Sequence, residues 1–414
     1  MNALLKNSFS ANITEAFKWM LFSLITGTVI GLVGTFFMYC LNTVIDYRDS
    51  HRLIIALSPI AGILIVAFYK AMDSENDKGT NTVIASVSSG NSVPVKMAPL
   101  IFLATVITHM YGGSAGREGA ALQIGGSLGS YIGELLKINK NGKKIFVMSG
   151  MSAAFSALFG TPVTASIFAM EVASVGNMQY GSFVPCVISA LIANKIAVYF
   201  GYSVENYTVT AYPEVSFIVL LKVVVFGFLC AGISTVFVLA LHKIGALFKA
   251  VENQYLRIII GGCIIVVLFV IFGRDYSSTG IAVIERAVEG EVVPYAFILK
   301  ILLTAITLGC GFKGGEIVPS LFIGATFGCL VGQFLNISPS FLATVGMVSI
   351  FCGVTNCPLA SLFMAVELFG SKNIVLYLLC IAVTYNLSGY YSLYKTQRFI
   401  YSKHGTDIIH KNAK

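Results

Sequence analysis

The sequence predicts an all-α polytopic membrane protein made of two related halves, with some helices broken inside the bilayer. Three observations predict it: an oily composition, a mixture of full and short apolar stretches, and two motifs that each occur twice in the same order. The chain is 56% hydrophobic and 11% charged, with mean hydropathy +0.83. A soluble domain carries about 25% charged residues, so a soluble core is excluded.

The elements follow in order. Apolar stretches at 17–41, 53–69, 215–241 and 258–272 are close to the length a helix needs to cross a bilayer. Those at 162–172 and 358–369 are too short, and each begins at a proline. Full crossings mixed with short, interrupted ones suit a transporter better than a simple receptor bundle.

Two glycine-rich, charged segments each open a short apolar stretch. The first is Gly112-Gly113-Ser114-Ala115-Gly116-Arg117-Glu118-Gly119, and the second is Gly311-Phe312-Lys313-Gly314-Gly315-Glu316-Ile317-Val318-Pro319. They stand opposite each other when residues 124–129 are aligned with 323–328, at an offset of 199. A second pair, 159–171 and 355–367, follows at an offset of 196, and each member carries a proline and ends in glutamate (Glu171, Glu367). The predicted organisation is one transmembrane transport domain over 1–414, with repeat halves at about 15–200 and 213–400. Repeats of this kind place the substrate near the bilayer midplane, where the halves meet.

The formal net charge is +8. In a membrane protein this reflects basic loops and tails facing the cytoplasm, so no nucleic-acid partner is called for. Lys395, Arg398, Lys403, Lys411 and Lys414 place the C-terminus in the cytoplasm, and the basic loop 137–144 is assigned there too. The first fifteen residues are polar and mixed, and the apolar run after them is too long for a cleavable signal. The nine cysteines show neither metal spacing nor a disulfide framework, so they read as packing residues. No metal or organic cofactor is expected.

Helices that start inside the membrane point unsatisfied N–H groups and a positive dipole end at whatever lies there. That is an anion site in a setting that otherwise repels anions. Glu118 falls at such a start, between two glycines. Ionised, it can take the place of a bound anion; protonated, it loses its charge and moves off. An ion pair with its neighbour Arg117 is not expected, because adjacent residues on a helix do not face each other. In the second segment the backbone N–H groups of Glu316, Ile317 and Val318 are the expected ligands.

At this point the chain resembles the CLC family of anion channels and proton-coupled anion exchangers. Gly116-Arg117-Glu118-Gly119 resembles the family's GREGP motif, with Ala120 in the proline position. Gly315-Glu316-Ile317-Val318-Pro319 resembles GxFxP, with Ile317 in the Phe position. Residues 78–83, Lys-Gly-Thr-Asn-Thr-Val, lie where GSGIP would be and match it poorly. The segment 388–394 offers Tyr394 as the pore tyrosine, although Tyr385, Tyr390, Tyr391 and Tyr401 lie nearby.

The resemblance implies a CLC-like inverted-repeat fold with no CBS domains. It also implies a homodimer, with the 162–198 and 358–387 regions as the dimer-facing surfaces. Glu118 becomes the gate and proton carrier. Gly79, Thr80, Asn81, Gly116, Arg117, Gly119, Glu316, Ile317, Val318 and Tyr394 become the anion-binding set. The Gly-Gly-Glu of the second segment and the altered Thr80-Asn81 pair look like the fluoride-exporting branch. Chloride–proton exchangers usually carry a second glutamate where this chain has Val172, so Glu171 and Glu367 read as helix-capping residues. The implied function is proton-coupled fluoride export across a bacterial plasma membrane. Chloride–proton antiport and a passive chloride or fluoride channel remain alternatives.

Residues 112–116 also fit GxSxG, the elbow of serine hydrolases, which needs a strand-to-helix turn and a histidine. His109 and His242 are the membrane-embedded candidates. This reading, and that of a receptor or structural membrane protein, leave the paired broken helices unexplained. The expectation is a transporter and not an enzyme.

Overall fold

The computed structural model describes residues 9–202 and 207–414. The polar amino-terminal stretch therefore lies largely outside the described residues.

Eight helices form the first half: α1 (Phe9–Ser50), α2 (Ser58–Ala71), α3 (Thr80–Ser89), α4 (Met97–Met110), α5 (Glu118–Leu135), α6 (Lys140–Phe159), α7 (Pro162–Glu171) and α8 (Phe183–Tyr199). Eight more repeat the order: α9 (Phe217–Lys249), α10 (Gln254–Phe272), α11 (Ile281–Glu289), α12 (Ala296–Cys310), α13 (Ile317–Leu335), α14 (Pro339–Thr355), α15 (Pro358–Phe369) and α16 (Ile374–Leu387). Six helical stretches among the described residues are long and apolar enough to cross a membrane, α1 and α9 being the longest.

Local chemistry sets the boundaries. Asn139, Ser216, Asn253 and Ser338 cap α6, α9, α10 and α14, each side chain accepting a first-turn N–H. Proline opens α7, α14 and α15, where its missing N–H costs nothing. α6 ends on Gly160 at φ 71 and α14 ends on Asn356 at φ 57. These are matching positions in the two halves, and glycine and asparagine are the residues that tolerate this left-handed conformation.

The same packing occurs twice. A Cβ on Gly125 would meet the Gly150 carbonyl oxygen at 2.2 Å, and one on Gly150 would meet that of Gly125 at 2.1 Å. Gly324 and Gly346 repeat the contact at 2.3 and 2.2 Å. α5 therefore lies backbone to backbone on α6, as α13 does on α14, which is how small residues hold helices together in lipid.

The halves also hold each other reciprocally. Glu171, at the end of α7, accepts the N–H groups of Leu359 (3.2 Å) and Ala360 (3.0 Å) at the start of α15. Glu367 in α15 accepts those of Val163 (2.9 Å) and Thr164 (2.8 Å) at the start of α7, together with the Thr164 hydroxyl. Each carboxylate neutralises the positive end of the partner helix. The capping expected for both glutamates is thus exchanged between halves.

A three-stranded sheet was not foreseen. β1 (Ser174–Val175) pairs in parallel with β2 (Arg398–Tyr401), which pairs antiparallel with β3 (Ile408–Asn412). It fastens the carboxy-terminal tail to the segment after α7.

Candidate anion site

Two helix starts meet at the centre of the molecule. The Gly116 N–H donates to the Gly315 carbonyl at 2.7 Å, and the Gly315 N–H returns the bond to Gly116 at 2.7 Å. This two-residue bridge joins the glycine-rich segments where α5 and α13 begin. Only glycine allows it at 315, where a Cβ would lie 2.4 Å from the Gly119 nitrogen. The first-turn amides of both helices, Ile317 and Val318 included, have no acceptor within their own helix.

Glu118 is fully buried as the first residue of α5. Its carboxylate turns back on its own helix start, where Oε2 accepts the Arg117 N–H at 3.0 Å. Its Oε1 lies 3.4 Å from Arg117 Nε. This corrects the expectation that the two would not pair. Arg117 is the N-cap and not a helical residue, so the rule against neighbours facing each other inside a helix does not apply. The Arg117 guanidinium also reaches the Leu158 carbonyl at 3.4 Å.

Glu316 is the N-cap of α13. Its carboxylate stands where a Cβ on Gly119 would come within 3.4 Å of Oε2, and that oxygen has no hydrogen-bond partner. Ile317 and Val318 are buried. Tyr394 is 1% exposed, its hydroxyl has no partner, and both Glu316 and Glu118 lie within electrostatic range of it. Among the tail tyrosines it is the buried one; Tyr390, by contrast, spends its hydroxyl on Ser402.

The third segment is brought to the same place, but its polar groups are turned elsewhere. Thr80 opens α3, and its hydroxyl donates to the Gly119 carbonyl at 3.3 Å instead of pointing at an open ligand position. Gln123, which sequence reading missed, donates to the Thr80 hydroxyl and to the Gly119 carbonyl, both at 3.2 Å. Its signal was a lone amide in a run of Gly and Ala. The Asn81 side-chain oxygen accepts from the Thr396 N–H (3.2 Å) and hydroxyl (3.3 Å). The Gly79 N–H donates to the Asp77 carboxylate at 3.0 Å. Gly79 and Asn81 thus order loops, since an Asp two residues before a glycine forms a local turn.

Cavities open beside the two ends of α2. One of about 850 Å³ is lined by Arg48, Arg52, Arg117 and Arg274, with Asp49 and Asp275. The other, of about 530 Å³, is lined by Asp73, Glu75, Asp77, Lys78 and Thr82 beside the start of α3.

The hydrolase elbow is absent. Ser114 lies between two helices, with its hydroxyl 3.3 Å from that of Thr304. His109 turns Nδ1 to the Thr105 carbonyl in its own helix. No cluster of potential metal ligands occurs among the described residues.

The sequence pattern described as voltage gated chloride channel matches residues 61–388. The chain belongs to the CLC family. It is 31% identical over 396 residues to a chloride/fluoride channel protein of Pseudomonas syringae pv. tomato, covering 94% of this chain and 88% of that one. It is 24% identical to an H(+)/Cl(-) exchange transporter of Vibrio cholerae, covering 89% and 86%. The crystal structure of a CLC-type fluoride/proton antiporter superposes with TM-score 0.90 at 29% identity, over 93% of this chain and 99% of that one. A slow cyanobacterial Cl-/H+ antiporter shares the fold, with TM-score 0.77 at 19% identity over 89% and 94%. The protein is therefore a multi-pass integral membrane protein with the inverted-repeat, broken-helix fold of this family.

Proposed function

We propose that this CLC protein is a transporter and not an enzyme, and that it exports fluoride in exchange for protons. The observation that carries the reading is the Glu118 carboxylate folded onto the start of α5, beside the Gly116–Gly315 bridge. A titratable side chain there competes with an anion for the same amide hydrogens. Protonation frees the place, and an arriving anion displaces a carboxylate that then takes a proton on one side or the other. Anion and proton movements are thereby linked through one group.

Fluoride is the favoured anion. It is small and strongly hydrated, so a site must replace its water with several fixed donors. The amides of α5 and α13 and the unpartnered Tyr394 hydroxyl supply such donors. The similarity to a fluoride/proton antiporter over nearly the whole chain supports the same choice. Proton-driven export would counter hydrogen fluoride, which enters uncharged and dissociates in a less acidic interior. The basic tail faces the cytoplasm of a bacterial plasma membrane in this reading. The protein works as a homodimer, buried through the exposed apolar residues Val163, Val184, Leu191, Leu359, Phe363 and Leu378.

The test is efflux from liposomes read by fluoride and chloride electrodes, with and without a pH gradient. Fluoride efflux accompanied by proton uptake is expected. Chloride carried equally well would replace fluoride by chloride in the reading. Fluoride flux with no proton movement would make the protein a passive channel.

A further inference from the structure

The loop that carries Tyr394 is fixed by a chain of oriented amides that begins at a lysine in the carboxy-terminal hairpin. Lys403 is half-buried between β2 and β3. Its ammonium donates to the Asn356 side-chain oxygen at 2.6 Å, to the Tyr385 carbonyl at 2.8 Å and to the Ser388 hydroxyl at 3.1 Å. It lies 4.3 Å from the centre of the Tyr385 ring. Two of these contacts fall at the end of α16, the negative end of a helix dipole.

An ammonium has donors only, so it fixes which end of the Asn356 amide faces it. The Asn356 NH2 group must then face the loop, and it donates to the Tyr391 carbonyl (2.9 Å) and the Gln397 side-chain oxygen (3.1 Å). Gln397 in turn donates to the Val172 carbonyl (2.8 Å) and the Thr355 carbonyl (2.7 Å), and its own N–H holds the Tyr394 carbonyl at 3.0 Å. Tyr394 sits midway between the two tethered ends. Asn356 is not needed for the turn it occupies, because the matching position in the first half is Gly160. Its side chain serves the tail.

We propose that Lys403 is a positioning residue for Tyr394: by orienting Asn356 and Gln397 it sets where the Tyr394 hydroxyl stands. This rests on the reading that Tyr394 meets the transported anion. Lys403 itself touches no anion. A misplaced hydroxyl weakens anion binding without changing the proton-carrying group, so the effect falls on KM and not on kcat.

The experiment measures fluoride KM and kcat in proteoliposomes for the wild type, Lys403→Met, Lys403→Arg, Tyr394→Phe and the Lys403→Met/Tyr394→Phe double variant. Lys403→Met is expected to raise KM about fivefold, a typical size for one broken network link, with kcat unchanged. Lys403→Arg keeps the charge and donors and is expected to recover most of the wild-type KM. In the Tyr394→Phe background, Lys403→Met is expected to add nothing. Multiplying effects in the double variant, or an unchanged KM in Lys403→Met beside a raised KM in Tyr394→Phe, would overturn the proposal. An unchanged KM in Tyr394→Phe would instead remove the reading beneath it. Failure of both Lys403 variants to give monodisperse protein would make the lysine a structural residue and also overturn it.

Discussion

The starts of α5 and α13 occupy matching places in the two repeats and carry opposite chemistry. At an offset of 199, Gly116 faces Gly315, Arg117 matches Glu316 and Glu118 matches Ile317. The glycines pair in one backbone bridge between the halves. The residues after them are free to differ, and they do. The first repeat places a carboxylate at the first helical position, where it folds onto its own amides. The second places an apolar residue there and moves its carboxylate to the cap. A duplicated scaffold thus supplies two helix starts with positive dipole ends, and only one of them has a carboxylate at its first helical position.

Breaking the comparison at its distinctive residue should have the largest effect. Glu118→Gln keeps size and shape but cannot ionise, and it should lower proton-coupled flux on the order of 100-fold. Proton uptake during fluoride efflux checks this; an unchanged proton-to-anion ratio would refute the gate.

The shared glycines come next. Gly315→Ala drives a Cβ into the Gly119 nitrogen, a backbone atom that cannot step aside. Gly116→Ala first meets the Glu118 carboxylate at 2.6 Å, a mobile side-chain end. The first substitution should destabilise by about 3 kcal/mol and the second by about 1 kcal/mol. Thermal loss of monodisperse protein in detergent measures the difference, and equal losses would show that the bridge is not held as described.

The exchanged caps test the symmetric part. Glu171→Gln and Glu367→Gln should each cost about 2 kcal/mol, because an amide meets two N–H groups with one acceptor and one surplus donor. The same melting assay applies. A large inequality between the two would mean the halves are not equivalent there.

The smallest effect concerns the tail. Burial lowers the Lys403 ammonium to about 8 from its ordinary 10.5. Cys352 and Tyr385 face it from α14 and α16, Cys357 from the cap of α15, and Tyr390 from the turn after α16. Below pH 8 the lysine is charged whether folded or unfolded, and the desolvation cost is fully present. Between pH 8 and 10.5 the unfolded chain holds more protons, so stability rises with pH. Relative to Lys403→Met, the wild type should gain stability across this window. A flat difference between the two melting curves would contradict it.

Much of the fold could be read from the chain. Pro162 and Pro358 mark helix starts without any tertiary information, because proline fits the first turn and not the interior. The glycine-rich segments announced broken helices for the same local reason. The roles of Thr80, Asn81 and Gly79 could not be read. Thr80 and Gly79 have donors for an anion, yet the Gly119 carbonyl and the Asp77 carboxylate accept from them, and the Asn81 side-chain oxygen accepts from Thr396. The partners of Thr80 and Asn81 lie on segments that the chain brings close only after folding. The Arg117–Glu118 contact escaped for a related reason: it turns on which residue begins the helix, a boundary set by the bridge to Gly315. β2 escaped because its partner β1 is two residues long and lies more than 220 positions earlier.

The sequence by itself determined that the chain crosses a membrane, that its two halves repeat, and that a carboxylate stands at a helix start. These follow from apolar length, spacing and backbone rules that act over a few neighbouring residues. Only the tertiary structure decided that the two helix starts face each other, that each half caps the other, and that a tail lysine meets the Asn356 amide beside the Tyr394 loop. Those outcomes depend on hydrogen bonds between residues distant in sequence, and a donor's local setting does not say which distant acceptor it will meet.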